Sequence, residues 1–140
     1  MAQPTSFRLP ADLLDRLEQE AASTGSTVTA LVSGLLDEGL KTRRFPGIVY
    51  RDGPAGRRAG VVHGPDVWEL VRAVKYGEGD GEQRLERVAG ELAIPVSQLR
   101  LAVDFYVAFP EEIDDRISDD ERAASLMHDL IARRDRLMSG

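Results

Sequence analysis

The sequence predicts a mainly α-helical protein in three parts, and three observations carry that prediction. Residues 5–40, TSFRLPADLLDRLEQEAASTGSTVTALVSGLLDEGL, read as one short strand followed by two amphipathic helices. From Phe45 the texture changes to two short β-like runs around DGPAG, followed by three helical segments. Past Ser118 an acidic first turn leads into one more apolar stripe, a C-terminal amphipathic helix. The boundaries that follow are 1–44, 45–117 and 118–140.

In TSFRL, Phe7 and Leu9 alternate with Ser6 and Arg8, so one face of the strand is apolar and the other polar. Pro10 suits the first turn of a helix, where its missing N–H costs nothing. Leu13, Leu14, Leu17 and Ala21 then recur on one helical face, and Gly25 suits a left-handed C-terminal position. Thr27 is the predicted N-cap of a second helix with the stripe Val28, Leu31, Val32, Leu35, Leu36 and Leu40. A unit of about 40 residues cannot bury its own apolar faces. It implies a partner, and the simplest partner is a second copy.

The order strand, Pro, L-L-x-x-L, then G-S-T-V-T-A-L resembles the ribbon-helix-helix fold of CopG/Arc-type repressors and many antitoxins. The resemblance implies an intertwined homodimer whose paired strands enter the major groove of an operator in double-stranded DNA. Carried over by position, Ser6 and Arg8 face bases, with Pro4 at the end of the ribbon, and Thr27 and Thr29 hold phosphate. The phosphate role has its own physical basis, because a helix N-terminus offers free N–H donors and partial positive charge. Thr5 stands where an apolar residue is usual and Pro4 where a polar reader is, which leaves base readout mainly to Arg8. An ordinary helical hairpin would leave the alternating strand and its outward Arg8 unexplained.

Hydrophobic content of 42% is enough for packed cores, and no apolar run approaches a membrane span or a signal peptide. Zero cysteines remove disulfides, thiolate catalysis and cysteine-based metal sites, which fits a cytoplasmic location. The net charge of −6 is polarised along the chain. Lys41, Arg43, Arg44, Arg51, Arg57 and Arg58 stand against Asp52 alone between 41 and 58. Glu111, Glu112, Asp114, Asp115, Asp119, Asp120 and Glu121 stand against Arg116 alone between 111 and 121. Lys41, Arg43 and Arg44 are candidates for additional phosphate contacts. Solvated surface is the competing reading of both runs.

In the second part, residues 48–51 and 58–62 form a predicted β-hairpin around DGPAG. Three helices follow, over 66–76 with Asp66 as N-cap, 82–92, and about 96–109, and Gly77, Gly79 and Gly81 make the first connection loose. RLERVAGELAIPVSQLRLAVDFYV resembles a helix-turn-helix, with Val88, Ala89 and Leu92 packing one helix and Leu99 and Val103 the other. Gln98, Arg100 and Asp104 are a poor electrostatic offer to phosphate, so a compact trihelical core is the favoured reading. The whole of 47–117 is similar to the small trihelical domain of VapB-type antitoxins, with G-R-R where G-T-R is usual. That resemblance implies a PIN-like ribonuclease toxin as a protein partner.

Leu126, Met127, Leu130, Ile131, Leu137 and Met138 form the stripe of the last helix, with Arg133, Arg134 and Arg136 near its end. It packs on its own domain, on its dimer mate or on a partner. An acidic, amphipathic plug suits the basic cleft of a nuclease, so Glu111, Glu112, Asp114, Asp115, Leu126, Leu130 and Ile131 are the candidate toxin-binding residues. No catalytic, metal or cofactor motif appears, His63 and His128 are far apart, and enzyme activity is not expected. The expectation is therefore an antitoxin that represses its own promoter as a dimer or a higher oligomer. The alternative is a stand-alone repressor whose second domain oligomerises or senses a ligand, and a third is a scaffold without DNA binding.

Overall fold

The computed structural model describes residues 2–140 and separates them into two units, one up to Arg44 and one from Phe45 onward. In the first, α1 spans Ala11–Thr24 and α2 spans Val28–Arg44. Pro10 stands at the N-cap of α1 with an extended ψ of 142°, so the chain enters the helix where a proline is harmless. Gly25 ends it in the left-handed region at φ 69°, and the N–H of Ser26 reaches back to the carbonyl of Ala21 at 3.0 Å. Thr27 caps α2 as expected: its Oγ1 accepts from the N–H of Ala30 at 3.1 Å.

The second unit begins with a two-stranded antiparallel sheet, β1 Ile48–Arg51 and β2 Arg58–Val61, in the register Ile48↔Val61, Tyr50↔Ala59. Helices α3 Val67–Tyr76, α4 Gly81–Leu92, α5 Val96–Ala108 and α6 Pro110–Ser139 follow. Ile48, Ala59 and Val61 of the hairpin meet Leu70 and Val71 of α3, Val88 of α4, Leu99 and Phe105 of α5, and Ile113 and Ile117 of α6 in one core. Phe45, Phe105 and Phe109 stack edge-on and tilted around it, with ring centroids 5.2–5.9 Å apart.

Two details of the second unit differ from the sequence reading. The last helix does not begin at Ser118. A residue before proline avoids the helical region, so Phe109, at φ −135° and ψ 65°, breaks the chain, and Pro110 opens a helix that runs unbroken for 30 residues. Ile113 and Ile117, four residues apart on the core side, carry that helix straight through the expected boundary at 117. Leu92, expected in the core, is exposed at 41%. Ala93 rather than a glycine takes the left-handed turn between α4 and α5, at φ 55°, with the N–H of Ile94 bonded to the carbonyl of Ala89 at 3.0 Å.

Asp66 sits at the N-cap of α3, but its side chain makes no cap bond. It is buried, accepts a hydrogen bond from Arg58 Nε, and lies 3.7 Å from Arg51 Nη1. Arg51 also donates to the carbonyls of Val61 at 2.7 Å and Gly64 at 2.8 Å. Its guanidinium crosses Gly60, where a Cβ would stand 2.1 Å from Nη2. Two arginines of the basic stretch are thus turned inward to hold the hairpin against α3.

Candidate nucleic-acid interface

The leading segment, residues 2–10, carries every predicted base reader and has no regular secondary structure. All nine residues are exposed, Phe7 at 77%. The expected strand at Thr5–Leu9 is therefore absent from the single chain. The reason is that strand N–H and C=O groups need a ladder partner, and β1 and β2 pair only with each other within the sheet. The alternation of Ser6 and Arg8 with Phe7 and Leu9 remains, but only a second segment can turn it into two faces.

The helices behind it are incomplete in the same way. Ala21 is the one buried apolar side chain among the described residues up to Arg44. Leu13, Leu17, Leu31 and Val32 are half-buried, and Leu13, Leu17, Leu31 and Leu35 line a shallow groove rimmed by Arg16 and Glu20. Leu14, Leu35, Leu36 and Leu40 are exposed, Leu40 at 70%. Each belongs to the stripes that the sequence assigns to a core, so the core they belong to is not completed by one copy.

Thr27 and Thr29 lie together at the start of α2, both exposed. The first N–H groups of any helix lack intrahelical acceptors and carry its positive end, so this corner can take a phosphate oxygen. Lys41, Arg43 and Arg44 fall in the last turn of the same helix. They are about 20 Å from Thr27 along its axis, so the two sets do not form one phosphate site. Lys41 pairs with Asp37 one turn back at 2.8 Å. The last-turn charges suit the negative end of the α2 dipole.

The acidic run belongs to the first three turns of α6, and much of it is tied down. Tyr50 donates its hydroxyl to both oxygens of Glu112 at 2.9 Å. Asp114 accepts from Tyr106 at 2.8 Å and Lys75 at 3.1 Å, which together hold its carboxyl below the ordinary carboxylate range. Asp120 pairs with Arg72, and Glu121 accepts from Tyr76 at 2.9 Å. Glu111 and Asp115 are exposed. The tyrosines at 50 and 106 were not foreseen as partners, since their acceptors are 62 and 8 residues away and nothing local marks the first pair.

Beyond Asp120 every residue of α6 is exposed apart from the half-buried Ala132. Leu126, Met127, Leu130 and Ile131 are 42–60% exposed, and Leu137 and Met138 about 80%. The candidate toxin residues Leu126, Leu130 and Ile131 thus share an uncovered stripe, some distance along the helix from Glu112 and Asp114. Among the described residues no His, Asp or Glu cluster has the form of a metal site, and no helix is long and apolar enough to cross a membrane.

Residues 8–44 of the 140 match the family of CopG-like ribbon-helix-helix domains. Ribbon-helix-helix domains bind DNA and are typically dimeric. The match takes in Arg8, Thr27, Thr29 and both helices, whereas Pro4 and Ser6 precede it. No curated protein and no solved structure matches the chain.

Proposed function

We propose that the chain is a DNA-binding transcriptional regulator that works as a dimer through its N-terminal unit. The match of residues 8–44 to a CopG-like ribbon-helix-helix domain carries this reading. The uncovered Phe7, Leu9, Leu35, Leu36 and Leu40 support it, because they are the apolar surface that a second copy would close. Two leading segments pair antiparallel, Phe7 and Leu9 turn onto the leucines of both chains, and Ser6 and Arg8 face the major groove. Thr27, Thr29 and the N–H groups that open α2 take the flanking phosphates. Selection of duplexes from a random pool, followed by footprinting, tests the assignment. A folded wild-type chain that enriches no sequence over background sinks it.

A narrower reading is an antitoxin that represses its own promoter and neutralises a PIN-like ribonuclease toxin. The observation that favours it is that α6 carries both a bare apolar stripe and, some turns earlier, the exposed Glu111 and Asp115, features suited to an unlike, basic partner. Co-expression with a neighbouring ribonuclease tests it, using a chain cut after Arg122 so that Ile113 and Ile117 keep the core intact. Full suppression by the shortened chain removes this segment from the toxin site.

A further inference from the structure

The end of α6 is a bare helix with unlike charges at its two ends. From Glu121 to Ser139 it runs for about 28 Å with its apolar stripe exposed. Ala123, Leu126, Leu130 and Leu137 follow a 3–4 spacing interrupted by Arg133, and Ala124, Met127, Ile131 and Met138 repeat it one residue on, interrupted by Arg134. The stripe begins beside Asp119, Asp120 and Glu121, with Arg122 among them, and ends beside Arg133, Arg134 and Arg136, with Asp135 among them, so its ends remain net acidic and net basic.

We infer that this segment pairs antiparallel with the same segment of a second copy. A self-complementary surface must meet itself across a twofold axis. Centred near His128, an antiparallel pair sets Leu126 against Ile131 and Met127 against Leu130 of the other copy, and brings Arg134, which lies on the stripe side of the helix, within about a turn of Asp120. The charge order selects this direction. A parallel pair in register would set three arginines against three arginines and the acidic ends against each other. Asp120 and Glu121 keep their bonds to Arg72 and Tyr76, since those lie within the unit and their charges remain to attract.

The chain has no cysteine, so a single introduced thiol reports on one position alone. The experiment uses the full chain carrying Phe7→Asp, which keeps the ribbon out of the result, and compares it with the same chain carrying Leu130→Asp and Ile131→Asp. Both positions are exposed and leave the core untouched. Sedimentation should show the mass halved by the pair of substitutions, and Arg133→Glu, Arg134→Glu, Arg136→Glu should weaken association at least about tenfold. Met127→Cys should cross-link with a short bismaleimide. Leu137→Cys should not, because antiparallel pairing holds the two 137 positions about 25 Å apart. Equal masses, or cross-linking at 137 as efficient as at 127, overturn the proposal. So does a stripe that leaves the mass unaltered and is needed only to retain a co-expressed ribonuclease.

Discussion

Up to Arg44 the described chain encloses one apolar side chain, Ala21, while from Phe45 onward it encloses thirteen together with the paired Asp66. Both units are built from amphipathic helices, so amphipathicity alone does not separate them. What separates them is the number of layers. In the second unit a hairpin and four helices present apolar faces to one point, and α3 and α5 lie between the others. In the first, two helices have only each other, and a helix pair covers one side of each stripe. Isolated helices of this length are marginal in water and depend on packing. The contrast teaches that the second unit closes its core within one chain, while the first leaves its apolar stripes open for a second copy to close. Unfolding of the first should therefore shift with protein concentration, as linkage to association requires.

The comparison breaks most readily at Phe105. Phe105→Ala empties the centre of the second unit and should cost it about 3–5 kcal/mol at every protein concentration. Denaturant titration should show that loss while the dimeric mass in native buffer is retained. A collapse of the dimer as well would mean that the two units do not fold separately. Asp66→Ala should follow, at about 3 kcal/mol, because it leaves the largely buried Arg58 without its carboxylate. An unchanged denaturation midpoint would show the hairpin to be held by packing alone.

Arg8→Ala sharpens the other side. It should weaken the selected duplex by about 1–3 kcal/mol while leaving the stability of the second unit unaltered. Unchanged affinity in a gel-shift titration would remove the ribbon as reader. Ala93→Gly is expected to stabilise by about 1 kcal/mol, since it relieves an L-residue at φ 55°. Thermal melts should show the gain in the transition of the second unit only.

The smallest effect concerns pH. The Tyr106 hydroxyl and then the Lys75 ammonium favour ionised Asp114, so its folded carboxyl titrates below its unfolded one. The stabilisation is present above about pH 4, the ordinary carboxylate range, and is lost as pH falls through the folded value. In Tyr106→Phe the Asp114 carbon resonance should titrate closer to the ordinary value. An unshifted curve would show that the hydrogen bond does not control it.

The helices, their caps and the hairpin were legible because their signals are local. Leucines at 3–4 spacing, Thr27 before Val28, Gly25 after Thr24 and DGPAG between apolar runs each act over a few residues. The break at Phe109–Pro110 was equally local, and reading Ser118 with its acidic followers as the start set aside a proline that suits a first turn. The charge runs are less legible for a different reason. A run in sequence is one surface only if its side chains point the same way, and Arg51 and Arg58 turn inward while Glu112 and Asp114 meet tyrosines.

Local periodicity and capping chemistry are therefore enough to specify which residues form helices and which faces are apolar, because those preferences are settled within one or two turns. Which of those faces is covered depends on contacts between residues far apart in the chain. Folding closed the faces of α3, α5 and the first turns of α6, and left those of α1, α2 and the end of α6 open. Burial of apolar surface rewards any partner of the right shape, and only the packed arrangement reveals where the chain has run out of its own.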